Sequence, residues 1–181
     1  MSNDQGKTQE VTRNVWKEKI PLFIAITTLV LAACATLASF KAAGYGNKMV
    51  LAQNQASDQW AFYQAKSMKE TSYELAKDSM VLTLDKASNT SVVSEKIAKY
   101  NEEIARYRNE KNEIANQAKI LENERDVARN FNLLFGRSLI FLQIGILLSS
   151  LATVNKNYIY WYIGAATGLI GVAIFLYALT L

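Results

Sequence analysis

The sequence predicts an all-α membrane protein: three transmembrane helices, with an extramembrane antiparallel helical hairpin, coiled-coil-like, between the first and the second. Three observations lead there. Residues 21–40, 138–154 and 157–181 carry no charged side chain, and all 16 acidic residues lie outside them. Residues 47–87 hold neither Pro nor Gly and are mostly good helix formers. Lastly, two long charged helical segments of matched length separate the first apolar run from the second, so the chain can leave a bilayer and return to the same face.

Taken in order, residues 1–19 are polar and mixed in charge, without apolar periodicity, and read as a flexible tail. The first span is 20–40. Pro21 fits a helix start, where the missing N–H costs no hydrogen bond. Twenty residues rising about 1.5 Å each cover about 30 Å, the thickness of a hydrocarbon core. In lipid the backbone must satisfy its own hydrogen bonds, so such a run is helical. Gly44-Tyr45-Gly46 then predicts a break at the interface.

The extramembrane region is 41–137, with helices at about 47–87 and 92–130. On the first helix, Ala61, Ala65, Met68, Ser72, Leu75, Ser79 and Leu82 alternate at spacings of four and three, which predicts the buried stripe. Phe62, Tyr73 and Met80 widen it. Ser88-Asn89-Thr90-Ser91 signals the turn, with Ser91 as N-cap. On the second helix the stripe is Val93, Ile97, Tyr100, Ile104, Tyr107, Lys111, Ile114, Ala118, Leu121, Arg125 and Ala128. Its register holds over five heptads, with two charged members. Residues 138–154 form the second span, 155–157 a short loop, and 158–181 the third span. Tyr158, Tyr160, Trp161 and Tyr162 make an aromatic belt at the start of the third.

Composition excludes much chemistry. Histidine is absent and Cys34 is the sole cysteine. An internal disulfide, the usual transition-metal ligand sets and a Ser–His or Cys–His couple therefore have no material. No cofactor and no catalytic residue is expected. The net charge of +4 comes from basic residues interleaved with acidic ones, a solvated helix surface rather than a nucleic-acid footprint. Asp58, Glu70, Glu74, Asp78 and Asp85 belong to that surface. Leu31-Ala32-Ala33-Cys34 matches a lipobox, but the apolar run continues past Cys34 through Phe40, which favours an uncleaved span.

Counting cations in short segments, Lys7, Arg13, Lys17, Lys19 and Lys156 put the N-terminus and the 155–157 loop in the cytoplasm, leaving the hairpin periplasmic. Lys41, Lys48, Arg125, Arg129 and Arg137 argue the other way. Within the spans, Gly164 and Gly168, with Gly171 one turn on, are spaced for close helix packing. Gln143 is the main strongly polar side chain in a span, expected to hydrogen-bond between helices.

Residues 51–67 are dense in Trp, Phe, Tyr, Asn and Gln. They read either as hairpin core beside the membrane, anchored by Trp60 and Tyr63, or as a partner surface. The block at 51–71, LAQNQASDQWAFYQAKSMKET, resembles the signature of a bacterial membrane family known as domain of unknown function 4337. AKILENERDVARNFN (118–132) and FLQIGILLSSLA (141–152) are similar to its later blocks. The resemblance covers nearly the whole chain from the first span onward. It implies a bacterial inner-membrane protein with one span before the charged region and two after. It carries over Asn54, Asp58, Gln59, Trp60, Tyr63, Gln64 and Lys66 as a signature without an assigned role.

The expected function is a non-enzymatic membrane scaffold or interaction protein. It would self-associate, or bind another membrane protein, through the hairpin. An accessory or pore-forming subunit of a transporter or channel is the alternative. Membrane lipids and a homo-oligomer or membrane-protein partner are the expected contacts; nucleic acid is not.

Overall fold

A computed structural model describes the backbone of residues 2–83 and 90–181 and the side chains of residues 20–82 and 91–181. It holds three helices: α1 (Ser2–Thr83), α2 (Thr90–Asn155) and α3 (Tyr158–Thr180). All three are long and apolar enough to cross a membrane. The contacts divide the chain into two units. An apolar unit comprises Met1–Asn47 and Ala128–Leu181, and a charged unit comprises Lys48–Val127.

Several expected boundaries are absent because the helices run on. Residues 2–19, expected as a tail, belong to α1, and Pro21 lies inside that helix rather than at its start. The break expected at Gly44-Tyr45-Gly46 does not occur. A glycine in a helix costs about 1 kcal/mol relative to alanine. Local contacts offset that cost. Tyr45 stacks on Phe131 and Phe135 with ring centroids 4.8 and 5.8 Å away, and the Asn132 amide donates to the Ala42 carbonyl at 2.7 Å. The second charged helix and the second span are likewise one element, α2. Ser91 lies inside it rather than capping it. Residues 84–89, including the end of the first expected hairpin helix and Ser88 and Asn89 of the expected turn, lie outside the described residues.

The short loop expected at 155–157 is two residues long, 156–157, because α2 runs through Asn155. Lys156 adopts a left-handed φ of 50°, and the Asn157 side chain accepts from the Ile159 N–H as N-cap of α3. Such a cap satisfies one of the unpaired N–H groups of the first turn.

In the apolar unit a few large side chains and several small ones fill the contacts between helices, and many large apolar side chains face outward. Its core is Leu31, Ala35, Ala38, Phe135, Leu142, Phe175 and Ala178. Leu22, Leu29, Leu37, Phe40, Leu147 and Leu169 are among many large apolar side chains left exposed. A water-soluble protein does the reverse, and a surface this apolar requires an apolar solvent. Helices α2 and α3 touch backbone to backbone. A Cβ built on Gly145 would lie 2.8 Å from the Gly164 carbonyl oxygen and 3.0 Å from the Gly168 Cα. A Cβ on Gly171 would lie 2.9 Å from the Leu142 nitrogen, and one on Gly168 2.7 Å from Leu31 of α1. The buried Ser138 hydroxyl donates to the Gly171 carbonyl at 2.8 Å. Gln143 is exposed on α2. The interhelical hydrogen bond expected from Gln143 is made by Ser138, because the α2 face toward α3 runs through Ser138, Leu142 and Gly145, and Gln143 projects off it.

Candidate interaction surface

In the charged unit α1 packs along α2 with residue numbers running in opposite senses. Gln53 meets Arg125, Trp60 meets Glu122, Glu70 meets Arg108 and Lys111, and Tyr73 meets Tyr107 and Tyr100. The α2 side of this seam is the stripe expected from sequence. All eleven positions from Val93 to Ala128 are buried or half-buried, with Ile104, Tyr107, Ile114, Ala118 and Ala128 the most enclosed.

The α1 side is not the stripe expected. Ala61, Ala65, Met68, Ser72, Leu75, Ser79 and Leu82 are all exposed. The face against α2 is instead Ala52, Ala56, Gln59, Tyr63, Lys66, Glu70, Tyr73, Lys77 and Met80. That face has the same heptad spacing, displaced by two residues, or about 200° around a helix of 3.6 residues per turn. The reason is charge. Lys111 on α2 needs a counter-charge inside the seam, and of the two faces only the one holding Glu70 supplies a carboxylate there.

Glu70 is 6% exposed and accepts from Lys111 Nζ at 2.6 Å and from Arg108 Nε at 3.1 Å. Lys111 also donates to Ser67 at 3.3 Å, and its ammonium lies 5.1 Å from the Tyr63 ring centroid. The hydrogen bond from Lys111 holds the Glu70 carboxyl below its ordinary value, against burial, which pushes it up. The same bond raises Lys111 above its ordinary value, against burial, which lowers it. One turn away Lys66 pairs with Glu110 and sits over the Phe62 and Tyr107 rings at 5.1 and 5.4 Å. That hydrogen bond lowers the Glu110 carboxyl. Buried charges are tolerated where each is paired and hydrogen-bonded.

The signature residues divide between the two faces of α1. Gln59, Trp60, Tyr63 and Lys66 are half-buried toward α2. Trp60 donates from Nε1 to Glu122 at 3.0 Å and meets Tyr63 edge-on. Asn54, Asp58 and Gln64 are exposed. Asn54 and Asp58 continue the exposed heptad stripe toward the N-terminus, and Gln64 flanks it. Gly164, Gly168 and Gly171 belong to the apolar unit.

Sequence reasoning missed the Glu70 group. Its signal was the pair of charged seam positions, Lys111 and Arg125. Both find partners on α1, Lys111 in Glu70 and Arg125 in Gln53 at 2.9 Å. Among the described residues, no group of three or more His, Cys, Asp or Glu could hold a metal ion.

A family model described as Domain of unknown function (DUF4337) matches residues 22–181. No curated protein and no solved structure matches the chain.

Proposed function

The chain belongs to the family described as Domain of unknown function (DUF4337), and from that premise we propose that it is a non-enzymatic scaffold of the bacterial inner membrane. Helices of the apolar unit span the bilayer. The charged unit is a helical hairpin held in water, where it engages a second copy or another membrane protein. The observation that carries this proposal is the division of α1 into two heptad faces. One is closed by α2, and the other, with Met68 68%, Leu75 64% and Leu82 80% exposed, is covered by none of the described residues. A helix in water with two apolar heptad faces is built for two partners.

In this reading the apolar unit lies in lipid. Two open grooves on its surface, one beside Pro21 and Thr153, the other beside Ile26 and Leu169, are lined without any titratable side chain. Their polar lining is the side-chain hydroxyls of Thr28, Ser150 and Thr153 in the first and of Thr27 in the second.

The test is particle mass in mild detergent together with cross-linking in native membranes. A complex larger than one chain is expected. A strictly monomeric particle with no cross-linked partner overturns the proposal. Protease access to the charged unit in oriented vesicles tests the periplasmic placement, which is expected to expose it from the outer side only.

A further inference from the structure

We propose that the exposed stripe of α1 from Ala61 to Leu82 pairs in parallel with the same stripe of a second copy of this chain, forming a short coiled coil on the side of α1 away from α2. This deepens the scaffold proposal and rests on it.

The spacing identifies the partner as a helix. Ala61, Met68, Leu75 and Leu82 take the d positions of a heptad, and Ala65, Ser72 and Ser79 the a positions. A stripe recurring every 3.5 residues stays aligned only with another helix wound around it; a globular partner imposes no such repeat. The face has depth as well as period. Met and Leu at d alternate with Ala and Ser at a, so each Met or Leu knob has an open layer beside it, and Phe62 (51% exposed), at an e position, widens the seam at its start.

The second copy is favoured as occupant by direction and by charge. Two chains inserted in one bilayer with the same orientation run α1 in the same direction, so each layer meets its own counterpart at one height. Flanking positions then carry no like-charge clash. The charged flanks are Lys69 at an e position and Asp78 at a g position. In a parallel pair Lys69 lies beside Gln64 of the other copy, not beside another lysine. Confinement of both copies to one membrane raises their effective concentration, so three heptads can suffice where a soluble pair would need more. The seam has a defined end. Asp58 takes the next a position, where a second copy would set two carboxylates opposite each other, so the pairing stops at Ala61.

The experiment uses the full chain with Cys34→Ser as background, in native membranes, with single cysteines introduced by Met68→Cys, Thr71→Cys, Leu75→Cys and Asn116→Cys. Oxidative dimerisation is expected at Met68→Cys and Leu75→Cys, roughly ten-fold or more faster than at Thr71→Cys and Asn116→Cys, because a disulfide needs Cα atoms within about 7 Å. Leu75→Glu is expected to convert the detergent-solubilised complex to single chains. Leu75 is exposed in the isolated chain, so Trp60 fluorescence, read with Trp16 and Trp161 replaced by Phe, should report an intact seam with α2 in that variant. A complex that persists in Leu75→Glu, with Met68→Cys and Leu75→Cys cross-linking no faster than Thr71→Cys and Asn116→Cys, overturns the stripe while leaving the scaffold proposal standing. Single chains in both detergent and membrane overturn both. Cross-linking of Met68→Cys and Leu75→Cys to a different protein overturns the second copy as occupant.

Discussion

Replacing Glu70 by Gln isolates the ion pair at the centre of the charged unit. The substitution keeps the volume and removes the charge facing Lys111 and Arg108, at 2.6 and 3.1 Å. Arg108 is 62% exposed in its side chain and reaches Glu74 as well, so water and a second carboxylate compensate it. Lys111, 16% exposed, keeps only Ser67 and the Tyr63 ring. Breaking a fully buried pair costs about 3–5 kcal/mol, and an exposed pair is worth about 0–1 kcal/mol. A seam between only two helices has water along both edges, which places the expected loss between them, at about 2 kcal/mol. Amide hydrogen exchange of the full chain in detergent measures it. Protection across residues 56–80 should fall roughly 30-fold, since 1.4 kcal/mol is about a factor of ten. Lys111→Met alone should cost a similar amount, whereas Glu70→Leu with Lys111→Met should recover most of it, because an apolar pair of similar volume replaces the buried ions without their desolvation penalty. Protection unchanged in Glu70→Gln, or a double variant weaker than either single one, would refute the reasoning that charge sets the phase of α1 against α2.

Other consequences follow from the same contacts. Gly145→Ala should destabilise the apolar unit by about 1–3 kcal/mol, since its Cβ would meet helix backbone closer than contact distance. By contrast Gly44→Ala, whose Cβ meets nothing within 4 Å, should stabilise by up to about 1 kcal/mol; thermal unfolding in detergent reads both. Ser138→Ala should cost about 0.5–1.5 kcal/mol by removing the interhelical hydrogen bond to the Gly171 carbonyl. With pH, the Glu70 contribution is complete above the ordinary carboxylate value of 4.5 and is lost as pH falls through its lowered folded value. The Lys111 contribution is complete below 10.5 and is lost as pH rises through its raised value. The charged unit should therefore be firmest at neutral pH, and Glu70→Gln should flatten the acid limb of its exchange profile.

What could be read from the sequence tracks how each feature is encoded. The third span and its connection were legible because charge stops at Lys156 and the uncharged stretches on either side leave room only for a tight loop. The apolar core beyond that was legible only as spacing. Gly164, Gly168 and Gly171 announced small faces, but Gly145, their opposite number on α2, shares its helix only with the distant Gly136 and has no repeat to mark it. Gly44 and Gly46 misled for a related reason. Glycine predicts a break only where no tertiary contact holds the helix, and the stacking of Tyr45 on Phe131 joins residues far apart in sequence.

The error in α1 is the most instructive, because both stripes were present in the sequence with the same heptad period. A search for apolar periodicity selects Ala61, Met68, Leu75 and Leu82, which are more hydrophobic than Lys66, Glu70 and Lys77. In an isolated helix that choice would be correct. It fails here because α2 brings Lys111 into the seam, and an unpaired ammonium there would cost more than the apolar stripe gains. The face that matches Lys111 in charge therefore outcompetes the face that matches Ile104 and Ile114 in polarity. The apolar stripe is left over, still at heptad spacing, on the opposite side of the same helix. A sequence without a second use for that side would be free to place charged residues there, as α2 does at Glu113 and Lys119. That α1 keeps Met and Leu in register along three heptads is the physical ground for assigning the side a partner.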